Sequence, residues 1–273
     1  MAQLEVILTP AELPALAKRD LRDIACVVFD VLRATSTFVT ALHSGAKVIV
    51  PVGEIAEALA IRKSQPDVLL GGERDGVRIR RAQTGGIDFD LGNSPREHTP
   101  EKVSGKTIVS TTTNGTRALR ACVGAKTVLA ASFLNLTATV NFIKNLQPAN
   151  VLVVCAGTRE NTALEDVLAA GAFCESLIRW GETPGEPKRE QKHSGSRGRS
   201  PYQKDAFEFS DSVEIARLVY AQAKPDLVAA ARTSENARRL LAIPELRDDV
   251  PFCLQQDIFP LVARLEADGI IRC

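Results

Sequence analysis

No stretch of this chain approaches the eighteen or so consecutive apolar residues that a membrane span requires. The first residues, MAQLEVILTPAEL, lack the basic patch and apolar core of an export leader. A cytoplasmic protein is the expectation. Charge of one sign is lacking too: 34 Lys and Arg stand against 33 Asp and Glu, a formal net charge of +1. Such balance gives no global pull toward nucleic acid or a membrane surface, so any anion must be held by a few locally placed groups and the expected partner is a small molecule. The six cysteines include no CxxC pair and no Cys/His ligand spacing, which argues against zinc and against a disulfide framework. Cys26, Cys155 and Cys174 sit in apolar runs, as reduced buried thiols do. No solenoid repeat is visible. What is present is 273 residues, 45% apolar and 25% charged, the make-up of a globular protein with one large domain or two small ones.

Ile24 to Phe29 form an unbroken apolar run suited to a strand covered on both faces, and Asp30 stands at its carboxyl end. Arg33, Thr35, Ser36 and Thr37 then open a segment whose Phe38, Val39, Ala41 and Leu42 suit a helix closed by Gly45. A helix start offers free N–H groups and a positive dipole end, a credible seat for an anion. The plainer alternative makes Asp30 a turn residue and Thr35 or Ser36 an N-cap. Further strands are expected at Lys47 to Val52, at Val68 to Leu70 running into a Gly71-Gly72-Glu73-Arg74 turn, at Lys106 to Ser110 and at Thr127 to Ala131. Another, Val151 to Val154, leads through Cys155-Ala156-Gly157 toward a long helix from about Ala163 to Trp180, which opens with Glu165-Asp166. Repeated βα units predict an α/β fold with a largely parallel or mixed sheet and helices on both faces. Ligands in such sheets collect beyond the carboxyl ends of the strands.

Residues 1–180 therefore read as the main α/β domain, carrying the strand-end site. Residues 181–205, rich in Gly, Pro, Ser and basic residues, read as an exposed basic loop or insertion. Residues 206–273 read as a mostly helical part, packed on the same domain or forming a small subdomain. Within it Val250 to Leu254 suit a strand and Ile258 to Ala267 a closing helix.

Carboxylates beside hydroxyls, amide N–H groups and an arginine suit a hard divalent cation with a bound phosphate or carboxylate. Magnesium fits better than zinc, because the candidate ligands are oxygen and no histidine lies close to these turns. Each group has an innocent reading as well. Thr162-x-x-Glu165 matches a capping box, Asn114-Gly115 suits a tight turn, and His43 and His98 suit solvated or helix-end positions. Familiar phosphoryl-transfer patterns are absent. Asp30 is followed by Val31 and Leu32 rather than by Asp-x-Asp, Cys155 reaches Arg159 after three residues rather than five, and no Gly-x4-Gly-Lys-Ser/Thr occurs.

In combination, FDVLRATST at 29–37, GGER at 71–74, DLGNSP at 90–95, TTNGT at 112–116, CAG at 155–157 and LED at 164–166 closely resemble the 2-phosphosulfolactate phosphatase family. The resemblance implies a magnesium-dependent acid phosphatase that hydrolyses 2-phospho-3-sulfolactate to 3-sulfolactate and phosphate, a step in coenzyme M biosynthesis. It also implies a three-layer α/β/α sandwich peculiar to the family. On this footing Asp30, Arg33 and Glu73 are the expected catalytic residues, and Asp30 and Glu73, with Glu165 or Asp166, are expected to hold Mg²⁺. The turns carrying Arg33, Thr35, Ser36 and Thr37, and Thr112, Thr113, Asn114, Gly115 and Thr116, would grip the phosphate. Arg74 or Asn93 would face the acidic end of the substrate. Whether Asp30 attacks phosphorus or only binds metal stays open, as does a homo-oligomer. The stretch between Glu73 and Asn93, with Arg78, Arg80 and Arg81, looks longer than usual for the family. The rival readings are a phosphatase for another small phosphorylated hydroxy acid and a non-catalytic anion-binding module on the same scaffold.

Overall fold

β-branched runs and the periodic apolar segments that follow them make alternating strands and helices, described here for residues 2–178 and 207–273 from a computed structural model. The expected basic loop at 181–205 lies outside the described residues. In chain order the elements are β1 (Ala2–Ile7), α1 (Leu13–Leu16), β2 (Ile24–Phe29), α2 (Ala34–His43), β3 (Val48–Pro51), α3 (Ile55–Ser64), β4 (Leu69–Arg74), β5 (Val77–Arg78), α4 (Arg81–Thr84) and α5 (Pro100–Val103). Then come β6 (Thr107–Thr111), α6 (Gly115–Ala121), β7 (Thr127–Ala131), α7 (Leu136–Leu146), β8 (Asn150–Cys155) and α8 (Leu164–Ile178). After the undescribed stretch follow β9 (Phe207–Phe209), α9 (Asp211–Ala223), α10 (Leu227–Arg232), α11 (Glu235–Leu241), α12 (Asp249–Cys253), β10 (Ala263–Leu265) and β11 (Ile271–Arg272). No helix among the described residues is long and apolar enough to cross a membrane.

The strands join one mixed sheet in the order β5-β4-β6-β3-β11-β10-β7-β2-β8-β1-β9. β2 is buried at every residue, which is why its sequence is apolar without alternation. Ala25, Val27 and Phe29 face a core shared with α7 to α12, whereas Cys26 and Val28 face a second core under α1, α2 and α6. A third, smaller cluster of Val52, Ala58, Leu70, Ile79, Phe89 and Val109 lies where α3 covers β4 and β6.

Two blocks of parallel strands make up the sheet, β4-β6-β3 and β7-β2-β8-β1-β9. Between them sits the antiparallel pair β10 and β11. Three successive antiparallel pairings separate β3 from β7, so the blocks run in opposite senses along the sheet. Sheet twist of about 20–25° per strand pair accumulates over the six pairings from β4 to β2 and turns one block's strand ends toward the other's. Two bonds record that meeting: the Arg33 guanidinium donates to Gly76 O, and Thr37 Oγ1 donates to Asn93 O at 2.8 Å.

Several local expectations are corrected. Gly71 to Arg74 continue β4 rather than turning, because a side chain at Gly72 would bring a Cβ to 2.1 Å from Thr111 O and glycine alone permits this approach to β6. Val250 to Leu254 are helical: Val250 and Cys253, three residues apart, are the buried pair of one turn. The segment expected as a closing helix holds β10, where Ala263 and Leu265 are buried and Arg264 is exposed, a period of two masked by residues that favour helices. Residues 207–273 thus supply strands to the same sheet as well as helices to its covering layer.

Candidate active site

The turn after β2 is built around Asp30. Its backbone N–H donates to Thr35 Oγ1 at 3.0 Å, and Thr35 Oγ1 in turn donates to Asp30 O at 2.9 Å, so the first turn of α2 clamps the end of the strand. Asp30 Oδ1 accepts the Ala34 N–H at 3.0 Å, and Oδ2 has no hydrogen-bond partner among the described residues. Gly115, the first residue of α6, lies against it: a Cβ there would meet Asp30 Oδ2 at 2.6 Å and Ala34 Cβ at 2.5 Å. Burial, with the nearby carboxylates of Glu73 and Glu165 adding to it, raises Asp30 to about 7 against the opposing pull of the Ala34 N–H and Arg33.

Glu73, at the end of β4, accepts the Thr113 N–H on Oε1 at 2.8 Å and the Gly76 N–H on Oε2 at 2.7 Å. One buried carboxylate therefore fixes both the β4–β5 turn and the turn after β6. Arg33 is held by Asp249 Oδ2 at 2.7 Å, with side chains 2% and 0% exposed, and Ser94 Oγ reaches the other oxygen of Asp249 at 2.7 Å. Asn93 Oδ1 is buried without a partner among the described residues. A single cleft is lined by Asp30, Arg33, Glu73, Asn93, Thr113 and Asn114. Six of the residues expected from the sequence, drawn from four separate turns, meet there.

The others stand elsewhere. Thr35, Ser36 and Thr37 do not line the cleft: their hydroxyls donate to Asp30 O, Val31 O and Asn93 O, building the turn from within. Thr112 and Thr116 bond to each other at the start of α6, Oγ1 to backbone in both directions, and Gly115 serves by having no side chain. Arg74 turns away to Thr111 Oγ1, Gly53 O and its neighbour Glu73 O. Asp166 accepts the N–H of Val31 at 2.8 Å and of Gly157 at 2.9 Å, tying the ends of β2 and β8 together. Burial first, and then Asp30 and Glu165, push its carboxyl well above the usual range. Glu165 lies behind the cleft, with Oε1 accepting Asn236 Nδ2 at 2.7 Å and Oε2 buried without a partner among the described residues. His98 is buried rather than solvated, its Nδ1 2.9 Å from Ser94 O, and burial lowers it to about 4. His43 stacks on Phe259.

Asp75, Thr158, Arg159 and Arg239 also line the cleft and were not singled out from the sequence. Asp75 and Arg159 reach it through left-handed backbone, φ 53° and 57°, and no residue pattern announces that at a non-glycine position. Asn236 and Asp249, which brace the site from α11 and α12, lie among exposed charged residues, and nothing in the sequence around them marks a site.

Among the described residues, no group of three or more His, Cys, Asp or Glu side chains stands ready to hold a metal ion by itself. Magnesium is seldom held that way: it keeps several waters and takes one or two carboxylates together with a phosphate. Asp30 with its open Oδ2, Glu73, and the orphaned Asn93 Oδ1 are hard oxygen donors on one cleft and fit that habit. Asp166, with both oxygens engaged by backbone N–H groups, does not line it.

Buried carboxylates, an orphaned amide and arginines facing one cleft at the strand ends of an α/β sheet have the make-up of a site for a small, multiply charged molecule. A sequence model of a family described as 2-phosphosulpholactate phosphatase matches residues 8–268. The chain belongs to that family. It is 36% identical over 256 residues to the probable 2-phosphosulfolactate phosphatase of Caldanaerobacter subterraneus subsp. tengcongensis, covering 93% of this chain and 92% of that protein. It is 41% identical over 239 residues to the protein of the same name from Thermotoga petrophila, covering 88% of each. A third, from Trichormus variabilis, is 31% identical over 261 residues, 95% of this chain and 96% of that protein.

Proposed function

We propose that this chain is a phosphoric monoester hydrolase that converts 2-phosphosulfolactate to sulfolactate and inorganic phosphate, with Mg²⁺ as its cation. The observation that carries the reading is the convergence of Asp30 and Glu73, from strands six pairings apart, onto one cleft. Family membership supplies the substrate, since the relatives are named for it.

In the reaction a water oxygen bonds to phosphorus as the phosphorus–oxygen ester bond breaks; the water gives up one proton and the departing sulfolactate oxygen takes one up, so that no net proton is consumed in the cleavage. Asp30, Glu73 and Asn93 Oδ1 would hold the cation, which supplies positive charge to the phosphate oxygens. Burial raises Asp30 to about 7, so a cation held there would compete with its proton near neutral pH. The Glu73 bond to the Thr113 N–H keeps Thr113 and Asn114 at the cleft, where the threonine hydroxyl and asparagine amide are available to the phosphate. Arg33, anchored by Asp249 and bonded to Gly76 O, holds the two strand-end turns together and places a positive charge near Asp30.

The test is phosphate release from 2-phosphosulfolactate and from a panel of other phosphorylated hydroxy acids, with Mg²⁺ and with EDTA. Wild-type protein should release phosphate only with the cation, and Asp30→Asn should lower turnover by about 100-fold or more. Near wild-type turnover by Asp30→Asn in the presence of Mg²⁺ would overturn the assignment of this centre.

A further inference from the structure

The cleft that holds the acidic pair is also lined by Arg159 and Arg239, and neither makes an ion pair with the described residues. Arg33 is different, since Asp249 neutralises it. Arg239 is half-buried on α11 and is aimed by a chain of side chains. Asn236 is buried, and its Nδ2 donates to Thr158 Oγ1 at 2.6 Å and Glu165 Oε1 at 2.7 Å. A carboxylate only accepts, so the Asn236 amide is oriented by it and Oδ1 is left to receive the Arg239 guanidinium. Arg239 Nε lies over Gly76, where even an added Cβ would be 3.6 Å away, and this N–H is buried without a partner among the described residues. The outer nitrogen, Nη1, has no hydrogen bond among the described residues.

A guanidinium held by one nitrogen, with unsatisfied N–H groups and no carboxylate, is a poor structural device, because a buried unpaired donor destabilises the fold. It is a good receptor for a planar carboxylate or a sulfonate. We infer that Arg239, fixed by Asn236 and assisted by the exposed Arg159, receives the acid group of the substrate that is not esterified to phosphate. The inference rests on the phosphatase reading above and names the residue that makes the enzyme prefer a phosphorylated acid to a plain phosphate ester. Arg74, the cation expected for this task, is engaged outside the cleft.

The experiment compares wild type, Arg239→Gln and Arg239→Lys on 2-phosphosulfolactate, 2-phospholactate and p-nitrophenyl phosphate, and measures sulfolactate binding by calorimetry. Arg239→Gln should lower the ratio of kcat/KM for 2-phosphosulfolactate to that for p-nitrophenyl phosphate by about 100-fold, chiefly through KM, and weaken sulfolactate binding comparably. Arg239→Lys should recover part of the loss, since charge is kept and the fork is not. If 2-phospholactate suffers the same loss, the carboxylate is the group bound; if it is spared, the sulfonate is. An unchanged ratio, whether both substrates fall together or neither falls, overturns the inference. Should wild type hydrolyse none of the three, the phosphatase reading fails by itself, and sulfolactate binding then decides: about 100-fold weaker binding by Arg239→Gln supports the inference, whereas equal binding, or none by wild type, overturns it.

Discussion

A carboxyl group that keeps its proton to about pH 7 in the folded protein, against a reference of 3.8, makes folding less favourable as pH rises through that interval. For Asp30 the full difference is on the order of 4 kcal/mol, reached above pH 7 and absent below the unfolded value. A cation at the cleft would relieve this load, and it must compete with the proton to do so. Mg²⁺ should therefore raise the melting temperature more at pH 8 than at pH 5, as read by calorimetry; equal shifts at the two pH values would count against Asp30 as a ligand. In metal-free buffer at pH 8, Asp30→Asn should melt higher than wild type, even while activity is lost. Gly115→Ala offers a second check, because alanine normally favours a helix by about 1 kcal/mol over glycine. Here the added Cβ meets Asp30 Oδ2 and Ala34 Cβ, so loss of both stability and phosphate release is expected. Asp30 could be read from the sequence because an apolar run ends at it. The destinations of the Thr35, Ser36 and Thr37 hydroxyls could not, since a hydroxyl beside a helix start serves a ligand and a backbone carbonyl equally well.

Between elements, Asp249 and Asp166 join distant parts of the chain as Glu73 does. Asp249 links α12 to the β2–α2 turn through Arg33, and removing one partner of such a pair leaves the other charge buried and alone. Asp249→Ala should cost about 3–5 kcal/mol in urea unfolding. The double variant Arg33→Met with Asp249→Leu should regain much of that stability without regaining activity, which would separate the structural role of the pair from its service to Asp30. Asp166 ties β2 to β8 by accepting two backbone N–H groups. Asp166→Asn puts an amide donor against one of them, and a loss of about 1–3 kcal/mol is expected by the same measurement. These braces were hard to foresee. Glu165-Asp166 opens a helix as any acidic pair would, and Asp249 sits in a segment whose valine and phenylalanine suggest a strand. Long elements with one dominant period, such as α8 and β2, were plain; short ones such as β10 and α12 were not, because a few residues satisfy either period.

Across the whole molecule, the βα rhythm announced an α/β sheet with helices on both faces but not its direction. Alternation along the chain gives each strand's partners no sign, and the reversal between the two parallel blocks depends on where β10 and β11 insert. That insertion also decides the site, since Glu73 belongs to one block and Asp30 to the other. The hairpin fills the middle of the sheet, yet residues 263–272 follow every other described strand in the chain. Until those residues have emerged from the ribosome, β3 and β7 each lack a neighbour along one edge, and no strand joins the two blocks into one sheet. Assembly of the complete sheet must therefore wait until residues 263–272 have been made, and until then the nascent chain presents open strand edges of the kind that chaperones shield from aggregation.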